Sequence, residues 1–147
     1  MSILKPFKAV RPTTDKVKNV ACRPYDVLNT AEAREEAAGN PVSFYHVIKP
    51  EIDFQDDHNP YDESVYKKGR ENYDLLKENG ILVKDASEHF YVYQLIMDGH
   101  KQTGIVGCCT IDDYFNNVIK KHELTRPDKE EDRKNHVRYS KLNYEPV

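Results

Sequence analysis

Two hydrophobic periods divide the chain. Between residues 61 and 79, Val65, Gly69, Tyr73 and Leu76 recur at helical spacing, and Leu75 widens the stripe. Pro60 stands before this segment and Gly80 just past it, so the pattern predicts a helix with defined ends. A strand-like period dominates elsewhere. Residues 3–10, 41–48, 81–83 and 89–97 are rich in Val, Ile, Tyr and Phe and read as strands. Asp98-Gly99 is a two-residue hairpin turn, and the chain returns through residues 103–110.

Residues 13–18 read as a polar turn, and residues 20–22 are short and apolar. Asn29 or Thr30 caps a short helix over 31–38, which Gly39 stops. Residues 51–63 carry six acids and no Lys or Arg, the composition of a solvated loop. Thr110 can cap a helix over 111–120, with Asp112 and Asp113 in its first turn. The last helix, 125–142, is nearly all polar, and Thr125 with Asp128 resembles a capping box. Only Val137, Tyr139 and Leu142 are available there for packing, so the helix is expected to lie in solvent or against a partner surface. The expected architecture is α/β of the α+β kind: a mixed sheet with an antiparallel hairpin and flanking helices, ending in a polar helix. One domain, or the N-terminal part of a larger one, suits 147 residues, with a truncation expected near residue 147. The missing C-terminal region or a homo-oligomeric partner would then cover the polar helix.

Composition narrows the function classes. Apolar residues make up 38% and charged residues 32%, but ten Tyr and five Phe can still build a core. A net charge of −3 gives no general attraction to nucleic acid, so direct DNA binding is not expected. The sequence has no apolar run long enough for a membrane helix, and its start does not read as a signal peptide. Cys22, Cys108 and Cys109 are odd in number and lack CxxC spacing, which fits a reducing cytoplasm. Adjacent Cys108 and Cys109 on a strand would face opposite ways, so at least one is expected to fill core.

Candidate chemistry is densest near the last helix, at Lys120-Lys121-His122-Glu123-Leu124-Thr125-Arg126, continued by Lys129 and Arg133. On a helix starting near Thr125, residues Arg126, Lys129 and Arg133 share a face beside free backbone N–H groups. Amides plus guanidinium groups are a common means of holding phosphate. His122 and Glu123 just upstream could act as general base or metal ligand. They lack the second His of an HExxH zinc site, and no metal set is assigned. A self-paired solvated helix accounts for the same charges, with Glu130 and Lys134 as an i,i+4 pair.

A second candidate is Arg23-Pro24-Tyr25-Asp26, where a proline-fixed turn would expose a guanidinium, a hydroxyl and a carboxylate. The alternative is a structural turn in which Asp26 bonds nearby amides. His46, within an apolar segment, reads as a satisfied core residue. Cys22 beside Arg23 could carry a lowered pKa. P-loop, GxGxxG and GxSxG patterns do not occur.

Four segments in this order, Lys5-Pro6-Phe7-Lys8-Ala9-Val10-Arg11-Pro12, Pro24-Tyr25-Asp26-Val27, Asn40-Pro41-Val42-Ser43-Phe44 and Lys121-His122-Glu123-Leu124-Thr125, carry a resemblance. Together they resemble the N-terminal region of a bacterial and archaeal family of unknown function often labelled SpoOJ regulator or ParB-related. Leu124 stands where that family usually has Arg or Lys. The resemblance implies longer relatives and a link to ParB-type domains, which bind nucleotide through a Gly-x-x-Arg motif and include free-serine kinases. The nearest local match is Gly99-His100-Lys101, which lacks the Arg.

The expected function is therefore phosphate or nucleotide binding, as part of a small-molecule kinase-like enzyme. His122 and Glu123 would be catalytic, and Arg23, Tyr25, Asp26, Arg126 and Arg133 would bind the ligand. The partner would be a small phosphorylated ligand or a nucleotide, the latter with Mg as its cofactor. The alternative is a non-catalytic regulatory module of the chromosome-partition type. If a site exists, His122, Glu123, Arg126 and Arg133 must converge with Arg23, Tyr25 or Asp26.

Overall fold

The computed structural model describes residues 3–120 and 126–144, and its elements mix helices with short antiparallel strand pairs. In chain order they are β1 (Leu4–Lys5), β2 (Val10–Pro12), α1 (Val17–Val20), α2 (Thr30–Ala37) and α3 (Tyr45–Ile48). A 3₁₀ turn over Pro50–Asp53 precedes α4 (Glu63–Glu78) and β3 (Leu82–Lys84). Then follow β4 (Tyr91–Met97), β5 (His100–Val106), β6 (Cys108–Cys109), α5 (Ile111–Phe115) and α6 (Pro127–Ser140). Among the described residues, no helix is long and apolar enough to cross a membrane.

The chain divides into two compact units. A helical unit comprises Pro12–Val83 and Thr125–Val147, and a hairpin unit comprises Met1–Arg11 and Lys84–Leu124. Every buried side chain among the described residues belongs to the helical unit.

In the helical unit, α2 begins at a full capping box. The Asn29 side chain accepts from the Glu32 amide, and the Glu32 carboxylate accepts from the Asn29 amide. Ala33 and Ala37, one turn apart, face Tyr45, Ile48 and Ile52 to form an apolar cluster. The stripe of α4 is as its spacing predicts, with Val65, Gly69, Tyr73 and Leu76 buried. Leu75 instead remains 45% exposed, and Tyr66 takes the place expected of it. Gly69 is required by close packing, because a Cβ there would lie 2.8 Å from the Val47 carbonyl oxygen.

The segment 41–48 is not a strand. Residues 45–48 are helical, with Lys49 N donating to Tyr45 O at 2.8 Å and Val47 N to Phe44 O at 2.9 Å. A strand would alternate Tyr45 and Val47 against His46 and Ile48. The helical turn lets Tyr45, Val47 and Ile48 all be buried at once. Burial thus overrides β propensity. The acidic run departs from a solvated loop for a related reason. Arg34 donates to the carbonyls of Ile52 (2.9 Å) and Phe54 (3.1 Å), and Ile52 is buried.

The hairpin forms across Asp98-Gly99 as expected, with Tyr91 opposite Val106 and Met97 opposite His100, so the return strand starts at His100 rather than at residue 103. Asp98 and Gly99 both have positive φ (49° and 79°), as a type I′ turn demands. The remaining strand expectations shorten. Residues 3–10 yield β1, which pairs Leu4 with Cys109 and Lys5 with Cys108, and the start of β2. Thr110 does cap α5, accepting from the Asp113 amide, but that helix ends at Phe115. Cys108 and Cys109 are both exposed, so neither fills core: this unit buries no side chain for them to join.

Candidate functional site

Pro24 fixes a turn in which Val27 N donates to Pro24 O at 3.2 Å. The turn leaves Asp26 exposed and half-buries Tyr25 against the α2–α3 cluster. Arg23 is drawn away from Tyr25. Its amide donates to the Tyr45 hydroxyl at 3.1 Å, and its guanidinium meets Glu36 at 2.5 Å. The Tyr45 hydroxyl donates in turn to Glu36 at 2.9 Å. Arg23 therefore reads as a strut holding the turn to α2.

The opposing wall is α6, which packs on α4 within its own chain. This corrects the expectation that the helix would find no surface there. The expected packing residue Val137 is 45% exposed, whereas His136 and Ser140 are buried and Asp132, Arg133 and Tyr139 half-buried. A polar stripe at 132, 136, 139 and 140 does the packing, and its i, i+4, i+7, i+8 spacing was the available signal. Tyr66 on α4 receives it. Its ring stacks on Tyr139 at 5.6 Å and meets the His136 edge at 4.9 Å. Arg70 donates to the Ser140 carbonyl at 2.6 Å, satisfying one of the open carbonyls at the helix end.

These contacts orient the candidate cation. The Tyr66 hydroxyl donates to one Asp132 oxygen at 3.0 Å. The other oxygen accepts from Arg133 Nε and Nη2 at 3.1 and 2.6 Å. So held, the Arg133 guanidinium lies 4.0 Å from the centre of the Tyr25 ring, and the Lys129 ammonium lies 6.0 Å from the same ring. The two candidate segments do converge, at Tyr25 and Arg133. Arg126 is exposed at the N-cap of α6. His122 and Glu123, and with them the Thr125 half of the expected capping box, lie outside the described residues.

Burial sets the ionisation here. The His136 imidazole is held down to about 4, first by burial and then by the Arg133 charge, against an opposing pull from Asp132. It is neutral at pH 7, so its 4.0 Å approach to Asp132 is not an ion pair at that pH. Burial and the Asp132 carboxylate push the Tyr66 phenol up to about 12, which keeps its proton for the hydrogen bond.

His46 has a different setting. Its Nδ1 lies 2.6 Å from Asp53, and its Nε2 lies 3.3 Å from Asn40 O. The Asp53 hydrogen bond raises its pKa despite burial. Burial opposes the lowering of the Asp53 pKa, and hydrogen bonds from His46 and Asn72 overcome it. The residue is satisfied, as the sequence suggests, but on a helix. Two surface depressions of about 370 and 350 Å³ flank it, and neither is lined by Tyr25 or Arg133.

Among the described residues, no three His, Cys, Asp or Glu side chains gather as metal ligands. A family model described as "Protein of unknown function (DUF1015)" matches residues 4–147. No curated protein and no solved structure matches the chain. The family match corrects the SpoOJ/ParB resemblance, since nothing in it points to chromosome partition. The geometry agrees at the one local match: Gly99-His100-Lys101 begins at a hairpin turn and runs into β5, with Gly99 at φ 79°.

Proposed function

Taking as premise that the chain belongs to the family of unknown function DUF1015, we propose that its helical unit binds a phosphate-bearing ligand at the corner of Tyr25, Lys129 and Arg133. One observation carries the reading: two cations from successive turns of α6 meet over a single aromatic ring from another segment. Arg133 is preorganised by Asp132, so little side-chain entropy remains to be lost on binding. Asp132 neutralises one of the two positive charges, and Lys129, exposed on the next turn, supplies the net charge for an anion. The half-buried aromatic ring and guanidinium suit a planar group next to the phosphate, as in a nucleotide. A kinase-like reaction would add His122 or Glu123 as base, and the reading as a binding site does not depend on it.

Calorimetry with pyrophosphate and with ATP tests the site. Arg133→Lys keeps the charge but loses the planar stack and the paired bonds to Asp132, and should weaken binding by roughly 1.5–3 kcal/mol. Lys129→Ala should weaken it by about 1 kcal/mol and flatten its salt dependence. Binding by the parent protein that neither change alters would place the ligand elsewhere.

A further inference from the structure

The hairpin unit carries an open strand edge with an unusual sequence. β4 reads Tyr-Val-Tyr-Gln-Leu-Ile-Met, seven residues without a charge, proline or glycine. Among the described residues it has one neighbour, β5. Proteins ordinarily blunt such edges with lysine, proline or a bulge. β5 is blunted in this way by Lys101, and β4 carries no such residue.

The register says which groups face outward. A two-residue turn makes Met97 and His100 a hydrogen-bonded pair, and such pairs alternate along an antiparallel ladder. Residues 91, 93 and 95 therefore bond to β5, while the N–H and C=O groups of Val92, Gln94 and Ile96 point to the open edge. A second β4 laid antiparallel, with Gln94 on a two-fold axis, meets those groups in register. It sets Val92 opposite Ile96, Tyr91 opposite Met97 and Tyr93 opposite Leu95, and the Gln94 amides opposite each other. No charge meets a charge, and each flanking pair is apolar. Val92, Ile96 and Met97 are 74%, 61% and 76% exposed, so pairing removes apolar surface from water.

We propose that β4 is a dimerisation edge, joining two copies of this chain antiparallel about Gln94 into a four-stranded sheet in the order β5–β4–β4–β5. Lys101 at the outer edges stops further addition, so the assembly closes at two copies.

Analytical ultracentrifugation of the whole chain tests this register by register. The parent protein should sediment as a dimer. Val92→Lys places a lysine against Ile96 twice per dimer and should raise the dissociation constant by about tenfold or more. Adding Ile96→Glu to Val92→Lys should restore the dimer, because each lysine then faces a glutamate of the other copy. Adding Ile96→Lys instead should leave it monomeric. The restored variant has more changes than the broken one, so general loss of folding cannot produce this pattern. A monomeric parent, species larger than a dimer, or a Lys/Glu variant no tighter than Val92→Lys alone would each overturn the proposal.

Discussion

The helical unit and the hairpin unit solve the same problem by opposite means. The first removes apolar surface from water: Tyr45, Val47, Val65 and Tyr66 are each no more than 2% exposed. The second pairs its polar groups and leaves its apolar ones outside, with Ile105, Ile111 and Phe115 all above 70% exposed. Its ties are polar. Asp85 accepts from Arg11 at 2.7 and 3.1 Å and from the Tyr91 hydroxyl at 2.6 Å, and that hydroxyl also accepts from Ala9 N at 2.9 Å. Backbone hydrogen bonds and exposed ion pairs contribute little net stability in water, whereas buried aromatic area contributes much. Cooperative stability of the isolated chain should therefore reside in the helical unit.

The sharpest break of that contrast is a pair of truncations. Tyr45→Ala should cost about 3–5 kcal/mol in denaturant unfolding, because it opens a core cavity and leaves one Glu36 oxygen and the Arg23 amide without their partner. Ile105→Ala should stay within about 0.5 kcal/mol. A comparable loss at both sites would show that the hairpin unit contributes core after all.

The next effect is in pH. His136 has its pKa lowered in the folded state, from 6.5 to about 4, so the unfolded chain binds its proton more readily. Its contribution is complete above pH 6.5 and is lost as pH falls toward about 4, by roughly 3 kcal/mol in all. His46 has the opposite sign. Its pKa is raised, so its contribution is complete below the unfolded value and fades as pH rises through the folded one. Stability curves of His136→Phe should lose the part of the slope that the parent shows between about pH 4 and 6.5. An unchanged slope would mean that His136 is not buried as a neutral ring.

The smallest effect sharpens the comparison from the other side. Gly99→Ala places a side chain at φ 79° and should cost about 1 kcal/mol. That cost should appear in amide exchange of β4 and β5 while the main unfolding transition stays put. A shifted main transition would tie the hairpin to the cooperative core.

Legibility followed the range of the interactions. The α4 stripe, the Asn29 cap, the Thr110 cap and the Asp98-Gly99 turn were all readable, since each depends on residues within about one or two turns. A meeting of residues 23–26 with residues 122–133 is readable from two polar segments, although its particular pair, Tyr25 and Arg133, is not. The network that aims Arg133 was not, because Asp132, His136 and Tyr66 look like ordinary helix residues until α4 and α6 meet.

By itself the sequence determined part of the local hydrogen-bond grammar of this protein: the caps of α2 and α5, the stripe of α4 and the turn of the hairpin. Those outcomes rest on backbone sterics and on side chains a few positions apart. Tertiary structure alone decided that residues 45–48 coil into a helix, that Arg23 binds Glu36, and that α6 packs through its polar face. Each of these turns on which surfaces exclude water together. Apolar burial is non-directional and acts between residues far apart in sequence, so no local pattern encodes its result.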